Sequence, residues 1–154
     1  MQEPPPILDC ARVLEYAEVD ESVRYTGRST LYVDGKELGA VPRLALCQSF
    51  DETEVMIFHC DREWNVLGTG SAPTLETARA SAERGYAGIS AKWVKSRYSP
   101  EEAEKYLSDH WGNERCSFCG RMPHQVSSMV HGQSGAKICN LCISELWQSE
   151  HRDG

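Results

Sequence analysis

Four cysteines in two pairs constrain this chain more than any other feature of its sequence. Cys116 and Cys119 are separated by two residues, nineteen residues follow, and Cys139 and Cys142 repeat the spacing. Two intervening residues let one tight knuckle aim both sulfurs at a common point. Gly120, directly after the second cysteine, can take the backbone angle such a knuckle needs. The number and spacing are those of a structural four-cysteine zinc site. A thioredoxin-like redox motif uses a single pair in a βαβ context, and the spacing is closer to a zinc ribbon or treble clef than to an iron–sulfur site. One Zn²⁺ per chain, held by Cys116, Cys119, Cys139 and Cys142, is therefore expected. A catalytic zinc keeps a coordination position open for water, whereas four thiolates close the tetrahedron, so the ion is expected to serve shape. His124 and His131 lie between the pairs and are expected on the surface or beside the site rather than as ligands.

Charge and compartment narrow the function classes. The net charge is −7 over 154 residues. Residues 1–112 hold 12 Lys+Arg against 19 Asp+Glu, and residues 113–154 hold 4 of each. Neither part is a basic surface for nucleic acid, and a four-thiolate zinc centre adds about −2 to the second. No apolar run is long enough to span a bilayer. "MQEPPPILDC" has neither a basic region nor an apolar stretch, so no secretory leader is expected. The thiols are accordingly expected in a reducing cytoplasm, where clustered cysteines bind metal more often than they form disulfides.

Along the chain, "QEPPP" reads as a short mobile arm, and "ARVLEY" as a strand. "TLYVDGKELG" has β-type residues around Asp34-Gly35, the dipeptide of type I′ hairpin turns. "LALCQS", "EVMIFHC" and "WNVLGTG" are short runs between polar breaks, the pattern of an antiparallel meander. The period then changes. Leu75, Ala78, Ala82 and Tyr86 recur at helical spacing, with Thr74 as N-cap and Gly85 near the end. "ISAKWVKSRY" is expected as a further strand with Ile89, Ala91, Trp93 and Lys95 alternating. In "SPEEAEKYLSDHW", Ser99, Pro100 and Glu102 mark a helix start and capping box, and Ala103, Tyr106, Leu107 and His110 share one face. Gly112 in "HWGNER" is expected to end that helix and form a hinge. The expected organisation is an α+β domain over 8–111, an antiparallel sheet with about two helices, and a zinc module over 112–154.

The stretch from 114 to 147 carries more than ligands. "CSFCG", Arg121, "HQV", Met129-Val130, Gly132 and "ICNLC" together closely resemble the zinc-binding domain of the ClpX unfoldase family. That resemblance implies a treble clef: a knuckle, a β-hairpin, and a helix starting at the second pair. It also implies a module that dimerises and receives substrates or adaptor proteins. In ClpX the module precedes an ATPase engine. Here it follows another domain, and no G-x-x-x-x-G-K-[ST] occurs, so no ATP binding of that kind is expected.

A module of this size can bury little of its own surface. Yet it carries Phe118, Met129, Val130, Ile138, Ile143, Leu146 and Trp147, the last three on one helical face. Some of these residues are expected to pack on the zinc knuckle and the rest to meet a second copy, the N-terminal domain or a client, with Phe118, Met129 and Val130 near the centre of a dimer and Ile143 and Trp147 on the helix below.

Elsewhere, Cys10, Cys47 and Cys60 lack pairing spacing, and the latter two read as buried small hydrophobes. "FHCDREW" holds the residue types of a nucleophile and base, but His59 and Cys60 would face opposite sides of a strand. "HCDREWNVLG" followed by a helix is similar to small bacterial proteins, which implies no activity. The expected function is thus non-catalytic: dimerisation and protein or peptide recognition through the zinc module, within a Clp-type protease system. An enzyme with its site near His59 and Asp61 is the alternative, and a nucleic-acid-binding zinc finger the third reading.

Overall fold

The computed structural model describes residues 2–28, 31–50, 52–111 and 114–150. The chain forms two compact units, Met1–Glu104 and Lys105–Gly154.

The first unit is built on an antiparallel sheet. Its strands are β1 (Ile7–Leu8), β2 (Ala11–Glu18), β6 (Arg43–Gln48), β7 (Val55–Cys60) and β8 (Val66–Ala72), paired in that order. The meander β6-β7-β8 follows the reading of the three apolar runs. Between β2 and β6 lie β3 (Arg24–Tyr25) and a small hairpin of β4 (Tyr32–Val33) and β5 (Lys36–Glu37). Its turn residues, Asp34 at φ 53° and Gly35 at φ 77°, have the two left-handed conformations that a type I′ turn demands.

Both faces of the central strands are covered, which explains why "LALC" and "VMIF" are apolar without interruption. Ala45, Cys47, Phe58 and Cys60 face one side, with Tyr16 and Trp64. Leu44, Leu46, Val55 and Ile57 face the other, where helix α1 (Leu75–Gly85) lays down Ala78 and Ala82. Thr74 caps α1, accepting from the Thr77 N–H at 3.1 Å while Thr77 returns a hydrogen bond to the cap. A partly buried ion pair joins helix and sheet. Glu15 of β2 is 3% exposed, and its carboxylate receives both forks of the Arg79 guanidinium.

Two expectations are corrected here. The proline-rich arm is docked, not mobile. Pro4 and Pro6 are buried, the Val13 N–H donates to the Pro6 carbonyl, and the Trp64 indole N–H donates to the Gln2 carbonyl. Proline rings are apolar and their carbonyls still accept, so such a segment can cover a core without joining a ladder.

Residues 89–95 do not form one strand either. After β9 (Tyr86–Ala87), which pairs with β3, the chain turns through a 3₁₀ helix at Ile89–Ala91, and only β10 (Val94–Lys95) is extended, pairing with β2. The Glu83 carboxylate accepts from the Gly88 and Ser90 N–H groups and pins this turn. Ile89 is buried, but Ala91 is exposed, so the alternation is lost.

Helix α2 (Pro100–Trp111) begins as the sequence indicates, with reciprocal bonds between Ser99 and Glu102. Ala103 and Leu107 are its buried positions among the described side chains. Gly112 and the hinge assigned to it lie outside the described residues.

Gly88 has φ 99°, and a Cβ added there would lie 2.9 Å from the Ser22 carbonyl oxygen. Gly88→Ala is therefore expected to destabilise the first unit by about 1–3 kcal/mol. A lower urea midpoint with unchanged zinc content would show it.

Candidate metal centre

The second unit assembles its cysteines from three local structures. The first is a turn. The Gly120 N–H donates to the Cys116 carbonyl at 3.0 Å and the Cys116 N–H to the Arg121 carbonyl at 2.9 Å, while Gly120 takes φ 78°. This closes the knuckle that brings Cys116 and Cys119 together. The second is a hairpin of β11 (Met129–His131) and β12 (Lys137–Cys139), with Met129 opposite Cys139. The third is helix α3 (Asn140–Glu150), which carries Cys142 in its first turn. Asn140 ties hairpin to helix, because its side-chain oxygen accepts from the Ser127 and Ser128 N–H groups at 2.9 and 3.2 Å. The Ser117 N–H reaches the Lys137 carbonyl at 2.8 Å and locks knuckle to hairpin.

The four sulfurs converge. All lie within 4.8 Å of one another, with Cys116–Cys142 at 3.9 Å and Cys119–Cys139 at 3.6 Å. Zn–S bonds of about 2.3 Å at the tetrahedral angle require edges of about 3.8 Å, so the donor geometry fits Zn²⁺. Electrostatics agrees. Burial pushes the Cys116 thiol up, but N–H groups of Cys119, Cys139 and Phe118 pull the other way, and the net result is about 6. Burial and the neighbouring sulfurs push Cys142 up to about 12. One thiol ionises readily and another resists, which is the behaviour of crowded like charges. A divalent cation removes that conflict. The Arg121 guanidinium beside Cys119 supplies further positive charge, and the thiolates in turn raise its own pKa.

Cys116, Cys139 and Cys142 are buried, and Val126, Met129 and Ile138 pack against them. Met129 therefore lies against the metal centre. Phe118 (67% exposed), Val130 (53%) and Trp147 (61%) lie at the surface, as do Ile143 and Leu146. His131 is exposed in the hairpin and is not part of the cluster; the His124 side chain lies outside the described residues.

The alternative constellation in the first unit does not assemble. The His59 ring faces Tyr86, with centroids 6.1 Å apart, whereas Cys60 lies among Phe58 and Trp64 on the opposite face. Asp61 is spent on its own turn, accepting from the Glu63 and Asn65 N–H groups at 2.9 Å each. Burial drives the Cys60 thiol up to about 12 and Cys47 also upward, so both behave as inert small hydrophobes. Sequence reasoning did not single out Asn140 or Ser117 as supports of the centre. "CNLC" offered a signal for the first, since an Asn at the start of a helix commonly caps or ties down a turn.

Knuckle, hairpin and helix together define a treble-clef zinc module of structural type. Residues 114–146 match the family model of the ClpX C4-type zinc finger. No solved structure matches the chain. The segment is thus similar to the ClpX C4-type zinc finger, with a structural Zn²⁺ bound by Cys116, Cys119, Cys139 and Cys142.

Purified protein should contain one zinc per chain, and Cys139→Ser should lose most of it, because three ligands bind far more weakly than a closed set. Elemental analysis of both proteins after gel filtration checks this; a full complement in the variant would refute the ligand assignment.

Proposed function

We propose that the protein is non-catalytic, and that its zinc module mediates self-association and recognition of a protein or peptide. The observation that carries this reading is the apolar surface on a metal-held module. Phe118, Val130, Leu141, Ile143, Leu146 and Trp147 are all exposed, several on one short helix. So many large apolar side chains left exposed on so small a unit favour an interaction surface. The ClpX resemblance supports a symmetric pairing of two modules and contact with other proteins, in a Clp-type protease system of the cytoplasm. No described helix is long and apolar enough to cross a membrane.

Residues 8–111 and 112–154 then act as separate domains, the first free to engage a partner of its own. Nucleic acid is disfavoured as partner by the net charge of −7 and by the negative charge of a four-thiolate centre. ATP is not expected, since the chain has no phosphate-binding loop. The enzyme reading finds no support in the divergence of His59, Cys60 and Asp61.

The surface positions make the clean test. Met129 was the natural handle by sequence, but it packs against the cysteines, so charging it threatens the metal centre itself. Phe118→Glu and Val130→Glu sit outside that core. The wild-type chain should sediment as a dimer, and each variant as a monomer that keeps its zinc, since an unpaired carboxylate in a dry interface costs several kcal/mol. A wild-type chain that stays monomeric at high concentration would defeat self-association.

Separate domains also predict separate responses to chelation. A strong chelator should remove amide protection from residues 114–150 and leave that of the sheet in place. Hydrogen exchange measured with and without chelator decides it; uniform loss across the chain would mean one cooperative unit.

A further inference from the structure

Residues 2–6, Gln-Glu-Pro-Pro-Pro, lie across the first unit and are held at a few points. The Trp64 indole N–H donates to the Gln2 carbonyl at 3.0 Å. The Glu3 carboxylate accepts from the Tyr16 hydroxyl at 3.3 Å and pairs with the Arg97 guanidinium at 3.0 Å. Pro4 is buried, and the Pro6 carbonyl accepts from the Val13 N–H at 3.0 Å. The Tyr16 and Trp64 rings themselves meet edge to face, with centroids 5.8 Å apart. An aromatic wall that receives a proline-rich segment is the arrangement of polyproline-recognition grooves.

The receiving side is positioned independently of the arm. Trp64 has φ 66°, a left-handed conformation in which a bulky residue is an outlier. Asp61 imposes it: its carboxylate accepts from the Glu63 and Asn65 N–H groups at 2.9 Å each, and its carbonyl accepts from the Trp64 N–H at 3.2 Å. Backbone strain of this kind persists where the surroundings over-determine it, and it gathers at ligand clamps. Arg97 is fixed by Tyr98, whose hydroxyl accepts from it at 2.9 Å and whose ring centroid lies 4.9 Å from the guanidinium carbon.

The segment received is generic by comparison. Between residues 2 and 5 only Pro4 is buried. The fixings grip a backbone carbonyl and a carboxylate beside a proline ring, features that any acidic–Pro–Pro segment carries. Glu3, Pro4 and Pro5 each precede a proline, which biases all three to extended backbone before docking, so such a segment loses little entropy on binding.

We propose that the footprint of residues 2–5 is a recognition site for acidic–Pro–Pro segments of other proteins, and that the chain's own arm fills it as a displaceable stand-in. Charge selects the acid, because Arg97 is presented on Tyr98 and would meet a basic residue with like charge. With Pro6 held by Val13, residues 2–5 span about 14 Å at most, which leaves little reach to fill the groove of a second copy. The inference names a partner class for the first unit and does not rest on the zinc module's role.

The test uses full-length zinc-loaded protein carrying Glu3→Lys and Pro4→Gly. These remove the ion pair and the buried ring, and leave Trp64, Tyr16 and Arg97 in place. The probe is the end-blocked peptide QEPP, with QKPP and QEAA as controls. Nitrogen–proton spectra follow the Trp64 indole resonance, assigned by Trp64→Phe. In the variant that resonance should leave its wild-type position, and QEPP should return it there saturably. QKPP should bind about two- to fivefold more weakly, the worth of one exposed ion pair, and QEAA should give no saturable shift. Adding Arg97→Glu should reverse the preference between QEPP and QKPP. The wild-type chain should bind QEPP at least about tenfold more weakly, because its tethered arm competes at about millimolar effective concentration. There, excess QEPP should move the Glu3 amide toward its free-peptide position.

No saturable response to QEPP in either protein would overturn the proposal. So would equal binding of QEPP and QEAA, or a charge preference that Arg97→Glu leaves unchanged. A Glu3 amide that shifts with protein concentration alone would assign the groove to a second copy and would overturn it too. If the variant fails to fold, displacement of Glu3 in the wild-type chain by QEPP and not by QEAA decides alone.

Discussion

The convergence of four sulfurs is the interaction on which the second unit depends. Among the described residues its buried side chains, apart from Leu107 of α2, are Cys116, Met122, Cys139 and Cys142, so most of what a larger domain would use as a core is here the metal site. Four thiolates within 4.8 Å repel one another strongly without a cation among them. With Zn²⁺ the same crowding becomes cohesion, and the turn at Gly120, the hairpin and the first turn of α3 are drawn to one point. The supporting hydrogen bonds from Asn140 and Ser117 orient the three pieces but could not hold them together alone, since each contributes only about 1 kcal/mol.

That economy has a consequence at the surface. Val126, Met129 and Ile138 are committed to the cysteines, and among the described residues Phe118, Val130 and Leu146 stay exposed. A structural metal allows a small module to keep its apolar side chains outward, where an ordinary domain would need them inside. The same ion that holds the fold therefore leaves these side chains at the surface.

The first unit solves its folding problem in the opposite way. It buries both faces of β6 and β7, using α1 on one side and Trp64, Tyr16 and the proline-rich arm on the other. Arg43 lies over the Trp64 ring at 5.0 Å and bonds the Arg62 carbonyl, so even the polar edge of this layer is ordered. Against such packing, the opening beside Gly70 stands out as a departure from a closely filled interior.

Local spacing made much of this legible in the sequence. The cysteine pairs, the Asp34-Gly35 turn, the caps at Thr74 and Ser99 and the meander of β6-β7-β8 each depend on residues a few positions apart, and a short-range pattern records such constraints directly. What the sequence could not decide depends on partners distant along the chain. The arm is held by Trp64 and Val13, the break at Gly88 by Glu83 and the Ser22 backbone, and Met129 by cysteines ten and more residues away. The void at His59 likewise exists only because a strand glycine meets small residues of a helix that follows it. Zinc ligation and most of the secondary structure were thus legible in local chemistry, whereas tertiary packing decided the break near Gly88, which apolar residues are core, which are surface, and where space is left between them.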